Sequence, residues 1–161
     1  MNRLLIAVSL LPFPLCFAGA VGEDKEADHK DRHVILVPDA LQWKPNPNLP
    51  RGAQFAVLSG DPTKSGGLYA VRIKVPDGYK VPPHWHPVDE NVTVIRGTLL
   101  IGLGETVEPS KLKQVPAGAF MHMPKEMRHY AMAKGETVLQ LHGIGPFEIN
   151  YVNADDDPRK K

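Results

Sequence analysis

The sequence is nearly devoid of cysteine: Cys16 is the only one in 161 residues. It falls inside an apolar run at residues 4–17, so the chain beyond that run has no thiol. Disulfide staples and thiolate ligands are therefore excluded there, and any bound metal must be held by nitrogen and oxygen donors. Long hydrophobic stretches are also missing. The 4–17 run is shorter than the roughly 20 residues that span a bilayer, and Pro12 and Pro14 interrupt it. Arg3 precedes it and Ala18-Gly19-Ala20 follow, the order of a secretory signal with a small-residue cleavage site. The sequence predicts a signal peptide at residues 1–20, a mature chain starting near Val21, and a periplasmic or secreted protein with no membrane association after cleavage. Phe13-Pro14-Leu15 before Cys16 offer no small residue for lipidation.

An excess of charge of either sign is lacking as well. Lys and Arg number 19 against 18 Asp and Glu, and removal of Arg3 with the signal balances the two. A neutral chain has no electrostatic footprint for nucleic acid or anionic lipid, and neither is expected as a partner. Nor is there a long helical period or an internal repeat. About 140 residues remain after the signal, enough for one domain with a substantial core.

Along that chain, residues 21–33 are dense in charge without an apolar face and read as a flexible leader. Short apolar or alternating runs follow at 34–37, 53–59, 68–75, 80–86, 91–96, 98–103, 119–123, 129–133, 137–142 and 147–152. Gly and Pro punctuate them. Ten or so short strands without helices read as an antiparallel sandwich or barrel over residues 34–152, with a charged, solvated tail at 153–161. Gly97, between two of the runs, is expected at a tight hairpin, and Gly78 in a turn.

One cluster carries chemistry. Gly78, His84, His86, Glu90 and Gly97 form the run G-x5-H-x-H-x3-E-x6-G. In a strand, residues two apart share a face, so His84 and His86 present two imidazoles side by side, and Glu90 lies at an even offset from both. Neutral imidazoles with one carboxylate suit a divalent transition metal rather than calcium or magnesium. Downstream, Gly118-x5-Pro124-x-Glu126-x2-His129 describes a short strand, a turn and a further histidine.

The first run resembles the first motif of the cupin superfamily at every fixed position, and the second is similar to the second cupin motif, G-x5-P-x-G-x2-H-x3-N. Glu126 stands where that pattern has Gly, and Ala133 where it often has Asn. The Glu126 departure bears on the turn, where Gly would supply a positive φ. The resemblance implies an all-β cupin jelly-roll β-barrel (a double-stranded β-helix) binding one divalent transition metal, Fe, Mn, Ni, Cu or Zn. It assigns His84, His86, Glu90 and His129 as metal ligands, and it implies a homodimer and a small-molecule ligand or substrate. Three histidines and a carboxylate leave coordination positions open, which suits a reactive or ligand-binding site. An oxygenase-like enzyme is the first expectation. A non-catalytic ligand-binding or sensing module and a metal-dependent isomerase or decarboxylase are the alternatives.

Other polar residues have weaker patterns. Gln140 and His142 share a strand face and are candidates for supporting the metal or touching substrate. His122 lies at an odd offset from His129 and is expected outside the site. Trp85 and Tyr130 each neighbour a motif histidine and are expected to point the other way. Asn91-Val92-Thr93 matches a glycosylation acceptor, but a glycan directly after Glu90 would crowd the site.

Overall fold

A computed structural model describes residues 33–160. The expected signal and nearly all of the expected leader lie outside the described residues. Nine strands account for the domain: β1 (Lys44–Pro45), β2 (Gln54–Gly60), β3 (Leu68–Val75), β4 (Lys80–Trp85), β5 (Glu90–Leu103), β6 (Lys113–Pro116), β7 (Phe120–Met123), β8 (His129–Ile144) and β9 (Asn150–Tyr151). All pairings are antiparallel. Among the described residues the only helices are single 3₁₀ turns, and none is long and apolar enough to cross a membrane.

Two long strands organise the sheet. The first half of β8 pairs with β4, its second half pairs with β3, and β5 runs beside both halves. The sheet thus curls around one interior. Row on row, alternation delivers the inward side chains: Val71 of β3 faces Leu141 of β8, which in turn faces Val92 of β5. All three are almost wholly buried, and each such burial contributes about 1.5–3 kcal/mol. Tyr69, Ile73, Val75 and Tyr79 extend this core.

Several expectations from the sequence are corrected. The runs 91–96 and 98–103 are not a hairpin but one continuous strand, β5, and Gly97 sits at a register shift within it with φ +78°. A Cβ there would lie 2.5 Å from the Glu136 carbonyl oxygen, so the glycine permits close approach of β8 rather than a chain reversal. Likewise 129–133 and 137–142 fuse into β8, with Gly135 at φ +75°. Residues 34–37 form no strand and are exposed. Residues 153–155, 159 and 160 of the C-terminal tail are exposed, and the tail is tethered at one point: Asp157 is buried, Arg159 pairs with it at 2.8 Å, and Arg159 also donates to the Ile149 carbonyl. Gly78 occupies its expected turn, with φ +70°.

Candidate metal centre

The three motif histidines converge because of register. His84 on β4 stands directly opposite His129 on β8, with ring centroids 4.1 Å apart. His86 follows β4 and lies 5.1 Å from His84 and 5.5 Å from His129 by the same measure. One ring nitrogen from each of the three falls within 4.8 Å of the others. Glu90, the first residue of β5, reaches the same point: its carboxylate oxygens lie 3.6 Å from His86 Nε2 and 3.4 Å from His129 Nε2. All four side chains are buried.

Each imidazole is aimed by a backbone carbonyl. His84 Nδ1 lies 2.7 Å from the Pro82 oxygen, His86 Nδ1 2.6 Å from that of Glu148, and His129 Nδ1 2.9 Å from that of Met127. A carbonyl can only accept, so each Nδ1 carries a proton and donates it. In a neutral ring the lone pair is then on Nε2, facing the cluster. Histidine metal ligands are oriented in this manner, with the outer nitrogen donating to a fixed acceptor. Consistently, His86 Nε2 is buried and has no hydrogen-bond partner in the protein. Phe147 stacks on the same ring at 4.8 Å.

Electrostatics keep two of the three imidazoles unprotonated. Burial, with help from the charges of His129 and His86, pushes His84 down to about 3, and burial likewise lowers His86. Both rings are therefore neutral near pH 7. Burial also opposes charge on His129, but the hydrogen bond and charge of Glu90 outweigh it and raise its pKa. Glu90 is ionised: burial would raise its pKa, yet His86, His129 and His84 together hold it at about 2. Three imidazole nitrogens and a carboxylate, one nitrogen buried without a partner, fit a divalent transition metal. His84, His86 and His129 could hold it, with Glu90 at contact range.

The cluster opens into a cavity of about 280 Å³ whose wall is largely apolar, with Phe55, Ile73, Val92, Leu139, Leu141 and Phe147 among its residues. Asn46, Asn48 and Thr63 bring uncharged polar groups to it. The loop carrying the two asparagines is tied down by Tyr79, whose hydroxyl donates to the Pro50 carbonyl at 2.5 Å, and by Tyr151, which donates to that of Asn48 at 2.9 Å.

The structure does not bring Gln140 and His142 to the cluster. Both lie on the opposite face of β8 from Leu139 and Leu141, where Gln140 accepts from Arg72 at 3.2 Å and the exposed His142 stacks on Phe120. His122 is exposed and bonded to Asn91. Trp85 is half-buried against the Arg128 guanidinium, and Tyr130 is buried away from the site with its hydroxyl on Glu108. What the sequence did not reveal is Phe147 and Glu148, since one contributes a ring face and the other only its carbonyl.

A family model described as "Domain of unknown function (DUF4437)" matches residues 33–159. No curated protein matches the chain. Among solved structures, the polyketide cyclase RemF from Streptomyces resistomycificus is similar at TM-score 0.63 and 14% identity, over 80% of this chain and 92% of that one. A protein described as a candidate acetylacetone dioxygenase from Methylibium petroleiphilum PM1 gives TM-score 0.58 at 17% identity, over 79% and 85%. An RmlC-like cupin from Shewanella frigidimarina NCIMB 400 gives 0.53 at 16%, over 69% and 89%. At these identities the likeness is one of fold, and that fold is the cupin barrel.

Proposed function

The chain belongs to the family described as "Domain of unknown function (DUF4437)", a cupin-type domain, and we propose that it is an exported metal-dependent enzyme acting on a small organic molecule by oxygenase-type chemistry. His84, His86 and His129 hold one divalent transition metal, with Glu90 as the fourth ligand. The observation that carries this reading is the locking of all three Nδ1 atoms onto carbonyls, which turns three Nε2 atoms onto one point beside an ionised carboxylate. A site built only for stability would not leave His86 Nε2 without a partner at the edge of a cavity.

When bound, such a metal supplies Lewis acidity or one-electron chemistry at open coordination positions. The chain supplies the rest. Glu90 offsets positive charge without needing a proton at neutral pH. Apolar walls exclude bulk water from the reacting groups. Among the described residues the cavity wall has no Ser, Lys or Asp, and its two hydroxyls, Thr63 and Tyr79, donate to Asp61 and to the Pro50 carbonyl, which leaves the cluster as the candidate reactive centre. Similarity to a cyclase and to a candidate dioxygenase supports a small organic substrate. Export rests on the order of residues 1–20 alone.

The test is elemental analysis of protein purified from its own compartment without chelators, joined to oxygen uptake against enediols, catechols and 1,3-diketones. Stoichiometric iron, manganese, nickel or copper with substrate-dependent uptake is the expected result. Bound metal without uptake turns the reading to an isomerase, a decarboxylase or a ligand-binding module. A chain that neither carries nor takes up metal would refute the site.

A further inference from the structure

The cavity wall specifies more than its size. Along β8, Ala131 and Ala133 follow His129 at two-residue intervals on one face, opposite Ile101 and Leu99 of β5. Four residues of strand at ~3.3 Å each carry this apolar wall about 13 Å from the level of His129. Charge is thus gathered at the quartet, while the rest of the cavity wall is uncharged and mostly hydrocarbon. Its volume, about 280 Å³, compares with the roughly 150 Å³ apolar cavity that accepts benzene. One substituted ring fills it.

Charge narrows the class further. Among the described residues lining the cavity, Glu90 is the only carboxylate and there is no Lys or Arg. A ligand carboxylate or phosphate lying along the wall would lose its hydration and find no cation in return. The uncharged Asn46, Asn48 and Thr63 offer hydrogen bonds without that compensation.

Resting on the reading that the histidine cluster holds a metal, we infer that the substrate is a single-ring or similarly compact apolar molecule. Three histidines and a carboxylate leave two positions of an octahedral ion open, so the substrate carries a pair of neighbouring oxygens at one end, and it has no ionised group on its body. Molecules with an ionised group away from the metal-binding oxygens, acidic sugars among them, are excluded from this class. The oxygens face the quartet and the body lies against the wall of β5 and β8.

The experiment compares two ligands that differ at one substituent, 4-methylcatechol and 3,4-dihydroxybenzoate, by calorimetry on the full mature chain loaded with zinc. Zinc is redox-inert, so the readout is binding and not turnover. The expected result is that 4-methylcatechol binds about 100-fold more tightly, because the carboxylate is desolvated against hydrocarbon. Equal affinity, or preference for the acid, overturns the inference. Met121 lines the cavity from β7, which pairs only with β5. A lysine there can stretch along the wall, so Met121→Lys is expected to narrow the discrimination about 10-fold; an unchanged ratio argues against a charge-poor wall as its source. Failure of zinc to bind refutes the metal reading but leaves the wall testable. Chelator-treated protein is then titrated with toluene: uptake upholds an apolar ligand, and no uptake overturns it.

Discussion

The backbone N–H of Glu126 donates to the carbonyl oxygen of His86 at 2.8 Å, tying the turn before β8 to the strand end that carries the second histidine. Beside it, the Lys125 N–H donates to Asp89 Oδ1 at 2.8 Å. The turn that delivers His129 is thus fastened onto the segment between His86 and Glu90. Glu126 makes its contact from φ +63°, the left-handed region.

That conformation costs a non-glycine residue about 1–2 kcal/mol. Glu126→Gly relieves it and gives back roughly 0.5–1 kcal/mol through the freedom of glycine in the unfolded chain. A net stabilisation of about 1 kcal/mol follows, seen as a rise of a few degrees in Tm. A lower Tm would mean that the Glu126 side chain contributes more than its backbone strain takes away.

The turn also shows what the sequence could and could not convey. The departure from glycine at 126 put the geometry in question, yet the fold keeps the left-handed turn, because two backbone donors are anchored across it. His84 and His86 were legible as a pair from parity, whereas Glu90 and His129 came from the cupin resemblance, because Glu90 opens a different strand and alternation does not place it beside the histidines. Which face is interior is a tertiary fact, so Gln140 and His142 were left open and lie outside. Gly97 shows the same limit: a positive φ serves a hairpin or a bulge equally well, and only the partner strand decides. The carbonyl of Glu148 has no sequence signature.

Replacing a ligand should remove metal without unfolding the barrel. His86→Ala and His129→Ala are each expected to lose stoichiometric zinc after dialysis. His122→Ala, at an exposed position bonded to Asn91, keeps it. Glu90→Gln retains metal at lower affinity, measured by competition with a chromophoric chelator. Full occupancy in either histidine variant removes that residue from the ligand set.

The metal-free chain should weaken in mild acid. His84 titrates near 3 when folded against 6.5 in the reference state, and His86 shifts in the same direction. Between those values the unfolded chain binds protons that the native chain refuses, so stability is full above about pH 6.5 and falls as pH drops. His129 opposes this, since its raised pKa favours the folded state below 6.5. Glu90, held at about 2, loses its contribution only below 4.5. Each proton taken up is worth about 1.4 kcal/mol per pH unit, and two histidines outweigh one. Urea midpoints of chelator-treated protein should be lower at pH 5 than at pH 7; a flat profile would place the protons on the native histidines.

Gly102 on β5 faces Tyr130 across the ladder, and a Cβ there would run into the ring and hydroxyl of that tyrosine. Tyr130 is held by hydrogen bonds with both the N–H and the carbonyl of Glu108. Having nowhere to move, it makes Gly102→Ala an overpacking substitution costing about 1–3 kcal/mol. Because Tyr130 adjoins His129, zinc affinity should fall along with the denaturant midpoint. Unchanged stability would show that the tyrosine can shift.

His84 and His129 are neighbours across a ladder although 45 positions separate them in the chain. Their pairing is a non-local closure, and the loop entropy it costs is spent before the contact repays it. The unfolded polypeptide therefore holds the histidine cluster as two separate halves, and only the folded ladder joins them. An ion that binds the folded cluster and not the unfolded chain would, at 100 times its dissociation constant, add about 2.7 kcal/mol to the stability of the barrel.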